Sequence, residues 1–310
     1  MFCDLSFAWL ETNGLTQRER LVMAIRLGID LFALSHDVSE TLTDRDKCSM
    51  QPLDLANLQS GNSSLQDALR MQQGLAWKHS SQASIKQLTR LTLHTEDSSV
   101  AAQAFTGAQA AAATYDLLAI APLSDRVLQQ ACASLEVDII TFDLSKRLPF
   151  RFKPGPLQVA LKRGLHLEIC YASALREETA RRNFFANALA LTRATRGKGI
   201  VVSSSARSAF ELRGPYDIIN MATLFGLSEQ DSKAALTAHC EAAIAHAQAR
   251  RAYKGAVIID AVQLAQDNTN QKSQVIRIPP TGANAASLQS SAARKTLLPN
   301  TSKQRKRKSR

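Results

Sequence analysis

The six histidines are the first residues to examine for chemistry, because imidazole is a frequent metal ligand and general base. They are spread along the chain at His36, His79, His94, His166, His239 and His246. No H-x-H or H-E-x-x-H motif occurs, and no C-x-x-C motif joins any of the five cysteines. His36 and Asp37 follow a predicted strand, where a barrel would place a site, but the pair has no further ligands nearby in sequence. We therefore expect no metal and no cofactor, and a capping or loop role for this pair.

Motifs for a nucleophile or for a bound phosphate are absent as well. The sequence contains neither G-x-S-x-G nor G-x-x-x-x-G-K-[ST]. Three serines at 203–205 follow an apolar run, yet no base stands near them, and the carboxylates of Asp143 and Glu168 are unspecific. The residue types thus make no positive case for an enzyme, and we expect no intrinsic activity.

Two clusters of basic residues point to binding instead. The first surrounds Phe150 and Phe152 within LPFRFKPGP and consists of Lys146, Arg147, Arg151, Lys153, Lys162 and Arg163. The second follows one predicted helix and its exit and consists of Arg176, Arg181, Arg182, Arg193, Arg196 and Lys198. Arg207 and Arg213 lie beyond the next predicted strand, and a barrel would bring them to the same rim. Arginine can grip phosphate bidentately. The two phenylalanines could either stack on bases or plug the barrel end, and both roles stay open.

The net charge of the chain is concentrated at its C-terminal end. Residues 261–310 contain ten Lys or Arg and one acid, Asp267, so +9 of the net charge of +11 lies there. Helical periodicity fades over the same stretch, and we expect a disordered basic tail over 257–310. Its last basic run fits a nuclear import signal or an RNA-binding arm and consists of Lys303, Arg305, Lys306, Arg307, Lys308 and Arg310.

The elements that must position these residues alternate between strand and helix. Apolar runs predict strands at 2–7, 29–35, 86–94, 115–121, 137–142, 165–171 and 199–203. Helices are predicted between them, including one at 124–135 capped by Ser124 and one at 177–196 closed by Gly197. Repeated alternation over about 250 residues predicts an α/β fold, a TIM-like (β/α) barrel. A doubly wound open sheet is the alternative, but the first βα turn lacks its glycine-rich fingerprint.

The predicted barrel domain covers residues 1–256 and is interrupted by a polar stretch. Residues 37–84 are rich in Ser, Gln and Asp, which predicts a long loop region with a possible helix at 65–71. No apolar run reaches the length of a membrane span, and the first residues lack the pattern of a signal peptide. We expect a soluble intracellular protein with reduced cysteines and no membrane partner.

Several segments of the chain together resemble a known family. The stretches LPFRFK, GKGIVVSSSA, LRGPYD and LFGLSE are similar to the thirty-kilodalton-class subunit shared by archaeal and eukaryotic ribonuclease P, which also occurs in eukaryotic ribonuclease MRP. The resemblance is good over residues 115–250, looser at FCDLSF and LTRLTL, and weakest over 37–84.

The resemblance implies a TIM-like barrel related to the polymerase and histidinol phosphatase superfamily. Active members of that superfamily carry H-x-H on the first strand, whereas this chain has Asp4-Leu5-Ser6 there. A non-catalytic subunit is implied, one that supports a catalytic RNA in removing the 5′ leader of precursor tRNA in the nucleus and nucleolus. The implied partners are the ribonuclease P RNA, precursor tRNA indirectly, and other protein subunits, including a small one of RNA-recognition-like fold.

Residues and resemblance together predict an RNA- or subunit-facing rim on the barrel. It consists of Arg147, Arg151, Lys153, Arg176, Arg181, Arg182, Lys198, Arg207 and Arg213. Two alternatives stay open. One is a protein-interaction module without RNA contacts. The other is a divergent metal-dependent phosphoesterase that uses His36, Asp4, Glu168 and His166.

Overall fold

The computed structural model describes residues 1–9, 14–39, 41–51, 85–105 and 111–252. Their seven strands are β1 (Cys3–Ala8), β2 (Leu31–Ser39), β3 (Lys86–Thr95), β4 (Leu117–Pro122), β5 (Ile139–Phe142), β6 (His166–Cys170) and β7 (Ile200–Ser203). The strands pair in chain order, and every pair is parallel. The predicted TIM-like α/β fold is therefore confirmed.

The sheet curls into a nearly closed barrel whose seam lies between β1 and β7. The Ser204 backbone N–H donates to Asp4 Oδ1 over 3.0 Å, and the Ser205 N–H donates to the Ser6 carbonyl over 2.7 Å. The register of β1 on β2 shifts between Asp4 and Phe7, within the stretch of β1 that makes these contacts. The seam places the loop after β7 directly beside the end of β1.

Helices connect the strands on the outside of the barrel. They are α1 (Gly14–Arg26), α2 (Ser98–Phe105), α3 (Asp125–Ala133), α4 (Pro154–Lys162), α5 (Ser173–Arg176), α6 (Glu178–Thr195), α7 (Pro215–Leu224), α8 (Glu229–Leu236) and α9 (Ala238–Arg251). The Ser124 hydroxyl caps α3 by accepting from the Val127 N–H over 3.3 Å, as the sequence predicts. The last helical residue of α6 is followed by Arg196 and Gly197, both at positive φ, so the predicted end of this helix is also confirmed.

Strand β2 is longer than the sequence predicts. It continues through His36 and Asp37 to Ser39, because it pairs with β3 from Leu31 to Ser39 without a break. The loop role assigned to these two residues is therefore wrong. The His36 ring stacks on Tyr115, and its Nδ1 lies 2.8 Å from the Tyr115 hydroxyl, so it is part of the packing outside the barrel.

The predicted long loop over 37–84 is described only in its first part. Residues 37–39 belong to β2, and a 3-10 turn follows at Asp44–Asp46. The possible helix at 65–71 and the predicted tail over 257–310 lie outside the described residues. The barrel belongs to a unit that spans Met1–Tyr253. Within the described part, no helix has the length and apolar character that crossing a membrane requires.

Helix α9 covers the N-terminal end of the barrel, where the strands begin. Its small side chains Cys240, Ala243 and Ala247 pack on an apolar layer inside the barrel. That layer consists of Cys3, Leu5, Leu31, Ala33, Leu117, Ala119, Ile139 and Val201. Small residues let the helix approach the strand starts closely and seal this end by hydrophobic burial.

Candidate functional site

The interior of the barrel holds a buried ion pair above the apolar layer. The Arg90 guanidinium donates to both carboxylate oxygens of Glu168 over 2.7 Å each, and neither side chain is more than 1% exposed. The Ser203 hydroxyl donates to Glu168 Oε1 over 2.7 Å. Burial alone would raise the pKa of Glu168, but the Arg90 charge and these hydrogen bonds lower it. Both carboxylate oxygens of Glu168 therefore already have partners inside the barrel.

Within the described residues, the other three residues of the phosphoesterase alternative do not form a group with Glu168 that could hold a metal ion. Asp4 is buried at the seam, accepts from Ser6 and Ser204 N–H groups, and has its pKa raised by burial to about 6. His36 contacts Tyr115. His166 begins β6 at the opposite end, next to His239, and burial lowers its pKa to about 4. Within the described residues, no three His, Cys, Asp or Glu side chains are grouped so that they could hold a metal ion.

Eight of the nine predicted rim residues lie at the C-terminal end of the barrel, because they follow β5, β6 or β7. Arg147, Arg151 and Lys153 follow β5. Arg176, Arg181 and Arg182 follow β6, and Arg207 and Arg213 follow β7. Lys198 precedes β7 and lies towards the other end, so the structure does not bring it together with the rest.

The three loops enclose a groove of about 520 Å³, named here the cationic groove. Its cations are Lys146, Arg147, Arg176 and Arg207. The first turn of α6 and the Asn183 side chain form one wall, and Glu177 is the one acidic residue among the described residues of the lining. Three successive βα loops therefore contribute positive charge to a single concave surface.

The cations at this end differ in how far their charge is already paired. Arg176 binds Glu211 through two hydrogen bonds of 2.8 and 2.9 Å, Arg182 pairs with Glu178, and Lys146 lies 2.9 Å from Asp143. Lys153 lies 3.3 Å from Asp125. By contrast, the exposed side chains of Arg147, Arg151 and Arg207 have no hydrogen-bond or ion-pair partner among the residues that the structure describes. These three carry the charge that is available to a ligand.

Two further arginines of the predicted rim hold the loops as well as adding charge. Arg181 Nε donates to the Ala174 carbonyl over 3.0 Å. Arg213 Nη1 donates to the carbonyls of Phe210 and Leu212 over 2.7 and 2.8 Å. Because these contacts fix backbone conformation, their loss would disturb the loops as well as the charge.

The two phenylalanines of the β5 loop pack against the barrel. Phe150 and Phe152 contact each other and Phe142 edge to face, with ring centroids 5.0 to 6.3 Å apart. Phe150 is buried and Phe152 is half-buried. The packing role left open by the sequence is the one that the structure shows, and it pins the loop that carries Arg147 and Arg151.

Several residues that position the loops were missed by the sequence analysis. Arg20 on α1 is buried and donates to the Ala206 and Ala8 carbonyls over 2.5 and 2.6 Å, which ties the β7 loop to the seam. Asn183 and Asn187 on α6 donate to carbonyls of the β5 loop over 2.9 to 3.1 Å. The four-residue spacing of these asparagines on one helix face was the available signal, whereas nothing in the sequence singles out Arg20.

Lys198 lies in a second groove of about 480 Å³, between α4 and the C-terminal end of α6. Arg193 and Arg196 line the same groove, together with Pro154, Gln158 and Ala194. The turn that carries Lys198 is tightly built, since a Cβ at Gly199 would lie 2.3 Å from Leu161 Cδ2. We refer to this surface as the lateral groove.

Cations grouped at the C-terminal end of the barrel are typical of the class of proteins that bind polyanions. The family model described as RNase P subunit p30 matches residues 1–252, and the chain belongs to this family. The mouse ribonuclease P protein subunit p30 is 38% identical over 173 residues, which are 56% of this chain and 64% of that protein. The probable ribonuclease P protein subunit 3 of Schizosaccharomyces pombe is 42% identical over 137 residues, 44% of this chain and 58% of that protein.

The matched region thus spans less than two thirds of the length of these curated relatives. Among solved structures, a chain of the cryo-EM structure of archaeal ribonuclease P with mature tRNA superposes with a TM-score of 0.52 at 12% identity. The superposition covers 88% of this chain and 98% of that chain. At this identity the likeness supports the fold, in agreement with the seven-stranded barrel.

Proposed function

We propose that the chain is a non-catalytic, RNA-binding protein subunit of a ribonuclease P ribonucleoprotein that supports 5′-leader removal from precursor tRNA. The observation that carries this proposal is the cationic groove, in which loops from three strands present cations at the C-terminal end of the barrel. The side chains of two of them, Arg147 and Arg207, have no partner among the described residues. Family membership and the names of the relatives support the same assignment. The divergent phosphoesterase is not favoured, because its four residues are engaged elsewhere or lie apart.

The groove would bind RNA through its phosphates. Guanidinium groups such as those of Arg147 and Arg207 neutralise phosphates and release condensed counterions, which gives affinity without reading sequence. The loops that carry them are held by Phe150 and Phe152 on one side and by Arg20 on the other. Because these charges are fixed before binding, the protein loses little conformational entropy when the RNA binds.

The proposed partners are the ribonuclease P RNA, precursor tRNA indirectly, and sister subunits, including a small one of RNA-recognition-like fold. The same role in ribonuclease MRP is part of the proposal. The proposed location is the nucleus and the nucleolus, and Lys303, Arg305, Lys306, Arg307, Lys308 and Arg310 are the proposed import signal. Replacing these six residues by glutamine in a fluorescently tagged chain should shift it to the cytoplasm, and unchanged nuclear signal would refute the import role.

The proposal is tested by affinity purification of the tagged chain from its own cells. The co-purifying RNA would be sequenced, and the eluate assayed for precursor-tRNA leader cleavage before and after digestion of that RNA. We expect one dominant structured RNA, with cleavage lost on digestion. A hydrolytic activity that survives digestion, or no enriched RNA, would contradict the proposal.

A further inference from the structure

The loop after β7 presents an aromatic ring to solvent beside the cationic groove. Phe210, in the 3-10 turn Ala209–Glu211, is 90% exposed, more than any other large apolar side chain among the described residues. Exposing a phenylalanine ring forfeits the stabilisation that burial would give it. Core packing therefore does not account for a phenylalanine at this position.

Hydrogen bonds fix the backbone on both sides of Phe210, so the position of the exposed ring is defined. Arg213 Nη1 donates to the Phe210 carbonyl over 2.7 Å, and the Arg213 N–H donates to the Tyr171 hydroxyl over 3.1 Å. Glu211, fixed by Arg176, accepts from the Arg207 N–H over 2.7 Å. The turn is thus tied to the barrel on both sides of Phe210.

Three charged residues flank the ring closely in sequence. Arg207 lies three residues before Phe210 and lines the cationic groove, Arg213 lies three residues after it, and Glu211 is neutralised by Arg176. Hot spots of protein–protein interfaces also contain arginine, but they cluster several anchor residues in one well-packed patch. A single ring flanked by arginines is instead the arrangement that stacks on a nucleobase while cations bind the adjoining phosphates.

We propose that Phe210 is a stacking platform for an unpaired RNA base, with Arg207 binding a neighbouring phosphate. This inference rests on the proposed RNA-binding role of the cationic groove and deepens it. It predicts that the groove binds the RNA where a single-stranded or bulged segment leaves a helix. A base that is paired and stacked inside a helix has no free face for the ring. Recognition at this point is tolerant of base identity, since every base offers a π-face.

The experiment compares full-length variants on two probes, a 12-nucleotide oligoadenylate and a blunt-ended RNA duplex. Phe210→Leu keeps the apolar bulk but removes the aromatic face, so we expect it to weaken oligoadenylate binding by about 5- to 150-fold, the value of one stacked base. Duplex binding should change less than twofold. Phe210→Trp keeps an aromatic face, so it should bind oligoadenylate as the parent does. Its new indole fluorescence should be quenched when the oligoadenylate binds. Tyr216→Leu, at another exposed aromatic residue, is the matched control and should bind as the parent does.

The outcomes separate the two proposals. If Phe210→Leu binds oligoadenylate as the parent does while Arg207→Gln weakens both probes, the stacking role is overturned and the RNA-binding groove stands. If neither variant alters binding to either probe, both proposals fail. If Phe210→Leu keeps RNA binding but loses a sister subunit in a pull-down, the ring is a protein-docking residue and the stacking role is overturned.

Discussion

Basic residues at the two ends of the barrel differ in whether their charges are paired with carboxylates. At the N-terminal end, Asp138 accepts from His246 Nδ1 over 2.8 Å, from Arg250 Nη2 over 2.9 Å and from the Leu118 N–H over 2.9 Å. Arg251 pairs with Asp116 at the start of β4. At the C-terminal end, the side chains of Arg147, Arg151 and Arg207 are exposed and have no partner among the described residues. Cations on α9 therefore join the helix to the strands, whereas cations on the loops remain available to a polyanion.

This difference shows that basic composition alone does not identify a binding surface. A buried or half-buried arginine that faces a carboxylate contributes mainly to folding, because its charge is compensated inside the protein. An exposed arginine without a partner contributes little to folding and can exchange its water and counterions for phosphate. Substitutions at the two ends should therefore separate an effect on stability from an effect on RNA affinity.

The largest effect is expected from Asp138→Asn at the N-terminal end. Asp138 is fully buried, and its loss leaves Arg250 and His246 without their charge partner. We expect the free energy of unfolding, measured with urea, to fall by about 3 kcal/mol. RNA affinity at low temperature, where the variant stays folded, should not change. Asp125→Asn is the control. It removes the charge partner of the exposed Lys153 and affects the hydrogen bond from Gln129, and it should cost less than about 1 kcal/mol.

The second prediction concerns the cationic groove. The double variant Arg147→Gln/Arg207→Gln should lower RNA affinity by about tenfold per charge at ~0.1 M salt. The negative slope of log K against log salt should become shallower by about 2. Its free energy of unfolding should stay within about 0.5 kcal/mol of the parent, since neither side chain has a described partner. A large loss of stability with unchanged RNA affinity would reverse the roles assigned to the two ends.

The third prediction concerns Asp4, which lies at the seam between β1 and β7. Burial raises the pKa of Asp4 to about 6 from 3.8, so the folded state holds this proton more tightly than the unfolded state does. The contribution of Asp4 to stability therefore declines as pH rises from about 4 to 6. Relative to the parent, Asp4→Asn should gain about 2 kcal/mol in unfolding free energy between pH 4.5 and pH 7. A difference between variant and parent that is the same at both pH values would show that Asp4 is not perturbed.

The smallest effect is expected in the lateral groove. Lys198→Gln should weaken RNA binding by about threefold or less and leave stability unchanged, because this exposed residue lies away from the cationic groove. A loss as large as that of the double arginine variant would mean that the RNA contacts two separate surfaces of the barrel. The comparison would then have to include the outer wall as well as the two ends.

The sequence predicted the seven strands and the clustering of eight cations well, because strand–helix alternation is a local signal and parallel strands all end on one side. The sequence analysis was wrong or incomplete where contacts between residues distant in sequence determine the structure. The end of β2 depends on pairing with β3, and the roles of Phe150 and Phe152 depend on their contact with Phe142. The pairing of Arg90 with Glu168 joins residues 78 apart in sequence, and no spacing rule could have indicated it. Lys198 was grouped with the rim by sequence proximity, although β7 separates it from Arg207.

The most direct test of the central claim is ultraviolet crosslinking of the purified ribonucleoprotein, followed by identification of the crosslinked peptides. We predict crosslinks in the three loops at the C-terminal end, within residues 143–153, 171–183 and 204–214, with Phe210 among the modified residues. Crosslinks confined to α9 and the strand starts, or none on the barrel, would contradict the assignment of the C-terminal end as the RNA-binding surface.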